Sequence, residues 1–460
     1  MIRNRTAIVA LLTGLNFLNY LDRFIVAAVL PRIQETHHLS DLEGGLLATA
    51  FLLGYFVTAP LFGMLGDRMP RKWLIAFGVL VWSAATIASG LAPDLATLIA
   101  ARAAVGVGEA SYATLAPTII DDLAPPDKKG KLMSIFFLAI PVGSALGYLT
   151  GGFVQSAWGW REAFYVGGVP GLLLAAICLL LVEPQRKLAA AKTAVSAAAA
   201  TLARIPLYRR AVLGYCAHTA AIGAFSYWGP TFLVRRFAEA LATDPSCDTA
   251  LAPFAFQLGL ESPCTRAALK TANFWFGTVT VVAGAIGTIL GGRFADRALR
   301  GLPPVPPGAS HLHLANRLAA NAQLRVCALG VAVAFPFVVA AFFAPSATGF
   351  FALAGIAEVG LFVSAAPINV IMLRTAPAVL RASAMALGIF SIHLFGDLWS
   401  PSVLGLLLDH VVLIAAVMAL PVGFAIAMAV WWPRRREAAE GPGDELAAGA
   451  VGAESGPGPG

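Results

Sequence analysis

Apolar runs of about twenty residues or more recur along this chain, and the short connections between them carry most of the charge. They fall near residues 6–30, 44–66, 73–92, 95–120, 131–157, 162–183, 211–234, 271–292, 323–344, 348–372, 382–408 and 411–432. At about 1.5 Å per helical residue, each run is long enough to cross the roughly 30 Å hydrocarbon core of a bilayer. The pattern predicts an all-α polytopic membrane protein with twelve transmembrane helices. Polar positions within those runs are few, which makes the exceptions informative. A charge at mid-membrane costs about 2.5–3.5 kcal/mol on insertion scales, and it normally faces a bundle interior or an aqueous cavity.

Composition agrees with the pattern. With 58% hydrophobic and 12% charged residues and a mean hydropathy of +0.77, the chain has too little polar surface to cover a soluble globule. Charge then sets orientation. Of 32 Lys and Arg, 24 fall before the first run, in the even-numbered connections or at Arg434 to Arg436, and 6 fall in the odd-numbered connections. The positive-inside rule therefore predicts that both termini are cytoplasmic, and the expected location is the cell inner membrane. This bias accounts for the net charge of +7 without a nucleic-acid partner. Arg3 and Arg5 precede the first run, which lacks a small-residue cleavage site, so it is expected to remain as a helix.

The two halves repeat each other. Gly63-Met-Leu-Gly-Asp67-Arg68 after span 2 recurs as Gly292-Arg-Phe-Ala-Asp296-Arg297 after span 8, and Ala116-Pro117 in span 4 recurs as Ala366-Pro367 in span 10. Such a displacement predicts two pseudo-symmetric six-helix bundles, residues 1–184 and 211–436, related by duplication. An Ala-rich basic stretch, 185–210, joins them as a cytoplasmic linker expected to be helical along the membrane surface. The Gly, Ala, Pro and Glu composition of 437–460 predicts a disordered tail.

Gly63-Met-Leu-Gly-Asp67-Arg68-Met-Pro-Arg71-Lys72 resembles the loop signature between helices 2 and 3 of the major facilitator superfamily. Within it, three stretches resemble the spinster family of lipid transporters: Asn19-Tyr20-Leu21-Asp22-Arg23-Phe24, Arg102 through Gly106-Val-Gly108-Glu109-Ala-Ser111-Tyr112, and Ser134-Ile-Phe136 through Ile140-Pro141-Val-Gly143-Ser144. The superfamily fold implies that spans 1, 4, 7 and 10 surround a central cavity. Asp22, Arg23, Arg102 and Glu109 would then share one wall, since Arg102 and Glu109 are two helical turns apart. Two acids and two bases form a set that one proton unbalances, as a proton-coupled site requires.

On this reading Asp22 is a proton-coupling carboxylate with Arg23 as its partner, and Glu109 and Glu358 are further coupling candidates. Arg23 and Arg102 hold a phosphate, while Tyr20, Tyr112, Phe136 and Trp228 accept an acyl chain. His218 is a weaker binding candidate, better read as packed. His393 and Asp397, at i and i+4, are either a coupling pair or an interhelical contact. Asp67, Arg68 and Arg71, with Asp296 and Arg297, would latch the halves together, although setting topology is a compatible role. The glycines Gly143, Gly147, Gly151 and Gly152 of span 5 permit close helix approach. Tyr148 stands where many superfamily antiporters carry a proline, so that motif does not support antiport.

Cys247 and Cys264 lie in the one long outer loop and are expected to form a disulfide. No cysteine or histidine spacing suggests a metal, and none of the common nucleophile, zinc or phosphate-loop motifs is present, so neither an enzyme nor a cofactor is expected. The reading is a monomeric, proton-coupled secondary transporter of an amphipathic lipid, of lysophospholipid or sphingoid-phosphate type, working by alternating access. Its partners are that substrate, protons and the bilayer. An exporter of drugs or hydrophobic organic anions is the alternative, and a non-transporting receptor or sensor a more distant one.

Overall fold

Helix starts along the chain are marked by side chains that accept from otherwise unpaired N–H groups. Asn4 caps α1 (Arg5–His37) through the N–H of Thr6, and Asp94 caps α4 (Leu95–Leu123) through that of Thr97. Ser40 and Glu43 form a reciprocal capping box at α2 (Asp41–Arg68). The computed structural model describes residues 2–125, 129–184, 195–242, 263–302, 309–377 and 380–433. The first half is completed by α3 (Arg71–Leu91), α5 (Lys129–Ala157) and α6 (Trp160–Leu179), followed by a short α7 (Val195–Arg204).

The second half contains α8 (Pro206–Leu241), α9 (Pro263–Arg300), α10 (Ala309–Phe342), α11 (Ala347–Phe362), α12 (Ala365–Thr375), α13 (Arg381–Ile392), α14 (Ser400–His410), α15 (Leu413–Val417) and α16 (Ala419–Trp431). A π turn at His393–Asp397 interrupts span 11 between α13 and α14, with Leu398 N–H donating to the His393 carbonyl at 3.0 Å. Span 10 is broken between α11 and α12, and span 12 between α15 and α16. Ten stretches among the described residues are long and apolar enough to cross a membrane. The two remaining long helices, α4 and α8, bring the spans to the twelve expected.

Packing explains the geometry of the first half. Helix α1 lies against α5, and a Cβ added at Gly147 would meet the Leu21 carbonyl at 2.5 Å, so the glycine stripe sets how near the two backbones come. Linker helix α7 packs against α8 and α13, burying Ala198 and Leu202. It is docked on the second half, whereas the sequence suggested a helix lying on the membrane. Residues 185–194 and the tail from Arg434 lie outside the described residues.

The halves meet at the face opposite the termini. Asp41 pairs with Arg235 through two contacts of 2.6 Å, and the Asp41 and Leu42 N–H groups donate to Asp409 at 2.7 and 2.8 Å. Thr49 donates to the Leu398 carbonyl at 2.8 Å, and Tyr227 donates to the Gly44 carbonyl at 2.7 Å. At the terminus-bearing face the ties among described residues stay within one half. Arg71 is an example: it is buried, pairs with Asp122 at 2.7 Å and Glu183 at 2.8 Å, and donates to Thr118. In this state Asp122 of α4 and Glu183 beyond α6 hold Arg71 within the first half. Arg68, Asp296 and Arg297 are exposed, and the side chain of Asp67 lies outside the described residues.

Candidate functional site

Helix α4 brings the charges of the first half together because two glycines let it pack closely on two sides. Residues i and i+2 of a helix point roughly 200° apart. A Cβ at Gly106 would therefore strike α2 at Tyr55 N, 2.8 Å away, whereas one at Gly108 would strike Trp82 of α3. Alanine would collide at both positions. Close approach of α2 places Phe51 beside the arginines, its ring centroid 4.8 Å from the Arg23 guanidinium carbon and 5.3 Å from that of Arg102. Tyr20 lies against Arg23 as well, also at 4.8 Å.

Arg23 and Glu109 form an ion pair of 2.7 Å, in which Glu109 is fully buried and the Arg23 side chain is 21% exposed. Arg102 is 2% exposed, and its Nε and Nη1 have no hydrogen-bond partner. The result is a wall with two guanidinium groups on one aromatic ring and one carboxylate among them. Like charges this close are tolerated where an anion completes the set, and a planar guanidinium suits a phosphate or carboxylate.

Asp22 lies behind this wall. It is fully buried and accepts from Trp82 Nε1 at 2.9 Å and Thr86 Oγ1 at 2.6 Å, both on α3. The expected Asp22–Arg23 pairing is thus corrected: adjacent helical residues point about 100° apart, so one faces α3 while the other faces the junction of the halves.

Across the junction, His393 Nδ1 lies 3.0 Å from both oxygens of Asp397, with side chains 29% and 21% exposed. Phe56 of α2 meets the His393 ring edge to face, with centroids 6.2 Å apart. The two halves therefore face each other with an acid–base pair on either side. Sequence reasoning left His393 and Asp397 undecided, and it missed Phe51, Tyr55, Trp82 and Thr86 because it sought no lining on spans 2 and 3.

Five other candidates lie elsewhere. Tyr112 is fully buried, donates to the Leu12 carbonyl and packs against Trp82 and Phe136, itself 2% exposed, so both fill the first bundle and do not line its junction with the second. Trp228 is 1% exposed and donates to the Pro401 carbonyl at 2.8 Å near the closed face. His218 is packed among Tyr215, Phe424 and Trp431, with Ser364 3.4 Å away. Glu358 borders a cavity inside the second half. Cys264 is buried in the first turn of α9, and Cys247 lies outside the described residues. Among the described residues, no cluster of histidine, cysteine and carboxylates could hold a metal ion.

A sequence profile of the Major Facilitator Superfamily matches residues 12–396. The chain is 34% identical to human Protein spinster homolog 1 over 421 residues, which is 88% of this chain and 73% of the relative. It is 34% identical to zebrafish (Danio rerio) Protein spinster homolog 3, covering 87% of this chain and 76% of the relative. The fold matches a crystal structure of a bacterial homologue of the human lysosomal transporter Spinster, in an inward-facing and unoccupied conformation. The TM-score is 0.72 at 21% identity, over 94% of this chain and 97% of that one. A D-xylose–proton symporter matches with a TM-score of 0.65 at 18% identity, over 95% and 98%. The chain belongs to the spinster family of the major facilitator superfamily and is a multi-pass membrane protein that works as a secondary transporter, not an enzyme.

Proposed function

We propose that this chain is a proton-coupled transporter of a phosphate-bearing amphipathic lipid, of lysophospholipid or sphingoid-phosphate type. It works by alternating access as a monomer in a bacterial inner membrane, with both termini cytoplasmic. The observation that carries the reading is Arg102, a buried guanidinium with unmet donors, sharing the Phe51 ring with Arg23. A headgroup phosphate supplies the missing acceptor. It also competes with Glu109 for Arg23, and a carboxylate deprived of its cation takes up a proton, so substrate binding and protonation of Glu109 favour one another. Asp22 holds the charge of Arg102 from behind, and the His393–Asp397 pair is the corresponding acid–base unit of the second half. With the opposite face tied shut, the chain is in a state facing the cytoplasm.

The test is lysophospholipid flux in proteoliposomes with and without a pH gradient. Glu109→Gln and Asp22→Asn should abolish the response to the gradient while the protein remains monodisperse. Arg102→Ala should weaken binding of phosphate-bearing lipids far more than of neutral amphiphiles. A wild-type gradient response in both carboxylate variants would sink proton coupling by these groups, and equal losses for both lipid classes would sink the phosphate assignment.

A further inference from the structure

A cavity of about 60 Å³ lies inside the second half, lined by residues of α8, α9, α10, α11 and α16, away from the arginine wall. Its lining is strongly aromatic and includes Phe225, Phe276, Phe342 and Phe424, with Phe225 in ring contact with Phe276 at 5.5 Å and Phe342 at 5.7 Å. The lining holds one ionisable side chain, Glu358. Its Oε1 accepts from the Thr280 hydroxyl at 3.1 Å, while its Oε2 is buried without a hydrogen-bond partner. Among the described residues, no lysine, arginine or histidine lines the cavity.

Two physical features point to the same ligand class. A carboxylate oxygen among apolar groups needs a cation or donor to offset its desolvation. Phenylalanine faces carry negative electrostatic potential and attract cations, by about 0.5–2 kcal/mol at close range. Hydrogen-bond donors are scarce, with Thr280 already engaged, so the fitting cation is one that needs few hydrogen bonds. We propose that this cavity is a binding site for a hydrophobic ammonium group, which pairs with Glu358 while its apolar portion packs among the phenylalanines. The second half thus recognises a charge opposite to the one held by Arg23 and Arg102 in the first, and each site can be examined without the other.

Phenyltrimethylammonium is a suitable probe, having a quaternary cation, one aromatic ring and no hydrogen-bond donor. Equilibrium dialysis of the full chain in a neutral maltoside detergent should show saturable binding of one probe per chain. Glu358→Gln should weaken it at least tenfold, Glu358→Asp should retain most of it, and Phe225→Leu should weaken it several-fold. Phenylphosphonate, the same ring with the opposite charge, should not displace the probe. Unchanged affinity in Glu358→Gln, or displacement by phenylphosphonate, would overturn the proposal. If Glu358→Gln does not fold, Phe225→Leu decides the matter, because it leaves the carboxylate in place and removes an aromatic face; wild-type affinity there would overturn it as well.

Discussion

Replacing Asp409 with alanine should open the face that the structure holds shut. The Asp409 carboxylate receives the first two N–H groups of α2 from the other half of the molecule, at 2.7 and 2.8 Å, and so serves as a helix cap supplied across the interface. Ser40 and Glu43 cap the same helix from within the chain segment itself, and that contribution is present in every state. Only the Asp409 contribution depends on closure. Loss of a capping acceptor costs about 0.5–2 kcal/mol and loss of an anion at a helix N-terminus about 0.3–1 kcal/mol. Water recovers part of this, leaving about 1–2 kcal/mol, or roughly a 5–30-fold shift in the ratio of open to closed molecules. Spin labels on Ala157 and Glu239, exposed at the ends of α5 and α8 on this face, would report it as a longer-distance population in double electron–electron resonance. Asp409→Asn keeps an acceptor and should shift the ratio less. If Asp409→Ala gives the wild-type distance distribution, the cap does not contribute to closure and the reasoning fails.

Phe51→Leu removes a ring that touches two guanidinium groups, and at about 0.5–1 kcal/mol per contact it should weaken binding of phosphate-bearing lipids by roughly 5–30-fold. Phe51→Tyr should restore it, and equal affinity in wild type and Phe51→Leu would remove the ring from the site. Asp94, outside the spans, accepts from the Thr97 N–H at 2.8 Å, and that bond holds its carboxyl below the usual carboxylate range. Its capping contribution is therefore present above the ordinary carboxylate pKa and is lost as pH falls through the lowered one. Hydrogen exchange, corrected for intrinsic rates, should show the first turn of α4 losing protection in acid for wild type but not for Asp94→Asn. A bridge between Cys247 and Cys264 would enclose sixteen residues and contribute about 3 kcal/mol of loop entropy. An impermeant maleimide should label both only after reduction, and labelling of both in unreduced protein would exclude the bridge.

The spans were legible because a bilayer demands long apolar runs, and the Gly-x-x-x-Asp-Arg stretch at Gly63 that returns at Gly292 is the sequence's signal for two halves. The charged wall was half legible. The seven-residue spacing of Arg102 and Glu109 correctly put them on one face, whereas chain adjacency suggested a pairing of Asp22 with Arg23 that helix geometry forbids. Phe51 carried no visible signal, since a phenylalanine in an apolar run looks the same whether it meets lipid or a guanidinium. Only Gly106, which admits α2 to contact, hinted that span 2 contributes to the wall. Tyr112 and Phe136 misled for the converse reason: residues shared with a family motif can be there to hold a bundle together. The tie of Asp41 to Arg235 and Asp409 joins residues 194 and 368 positions apart, and no local pattern foretells it.

The π turn at His393–Asp397 acts as a stored insertion. A π turn takes up about one more residue than the α-helix it interrupts, and one residue corresponds to about 100° of rotation. Everything beyond it in span 11 is therefore indexed by that single bulge, including the Pro401 carbonyl that Trp228 reaches, Ser402 beside Thr49, and Asp409 over the start of α2. If the turn tightened to an ordinary helix, these three groups would swing away from their partners as one rigid piece. The register of these three ties thus rests on the same five residues that hold the His393–Asp397 pair.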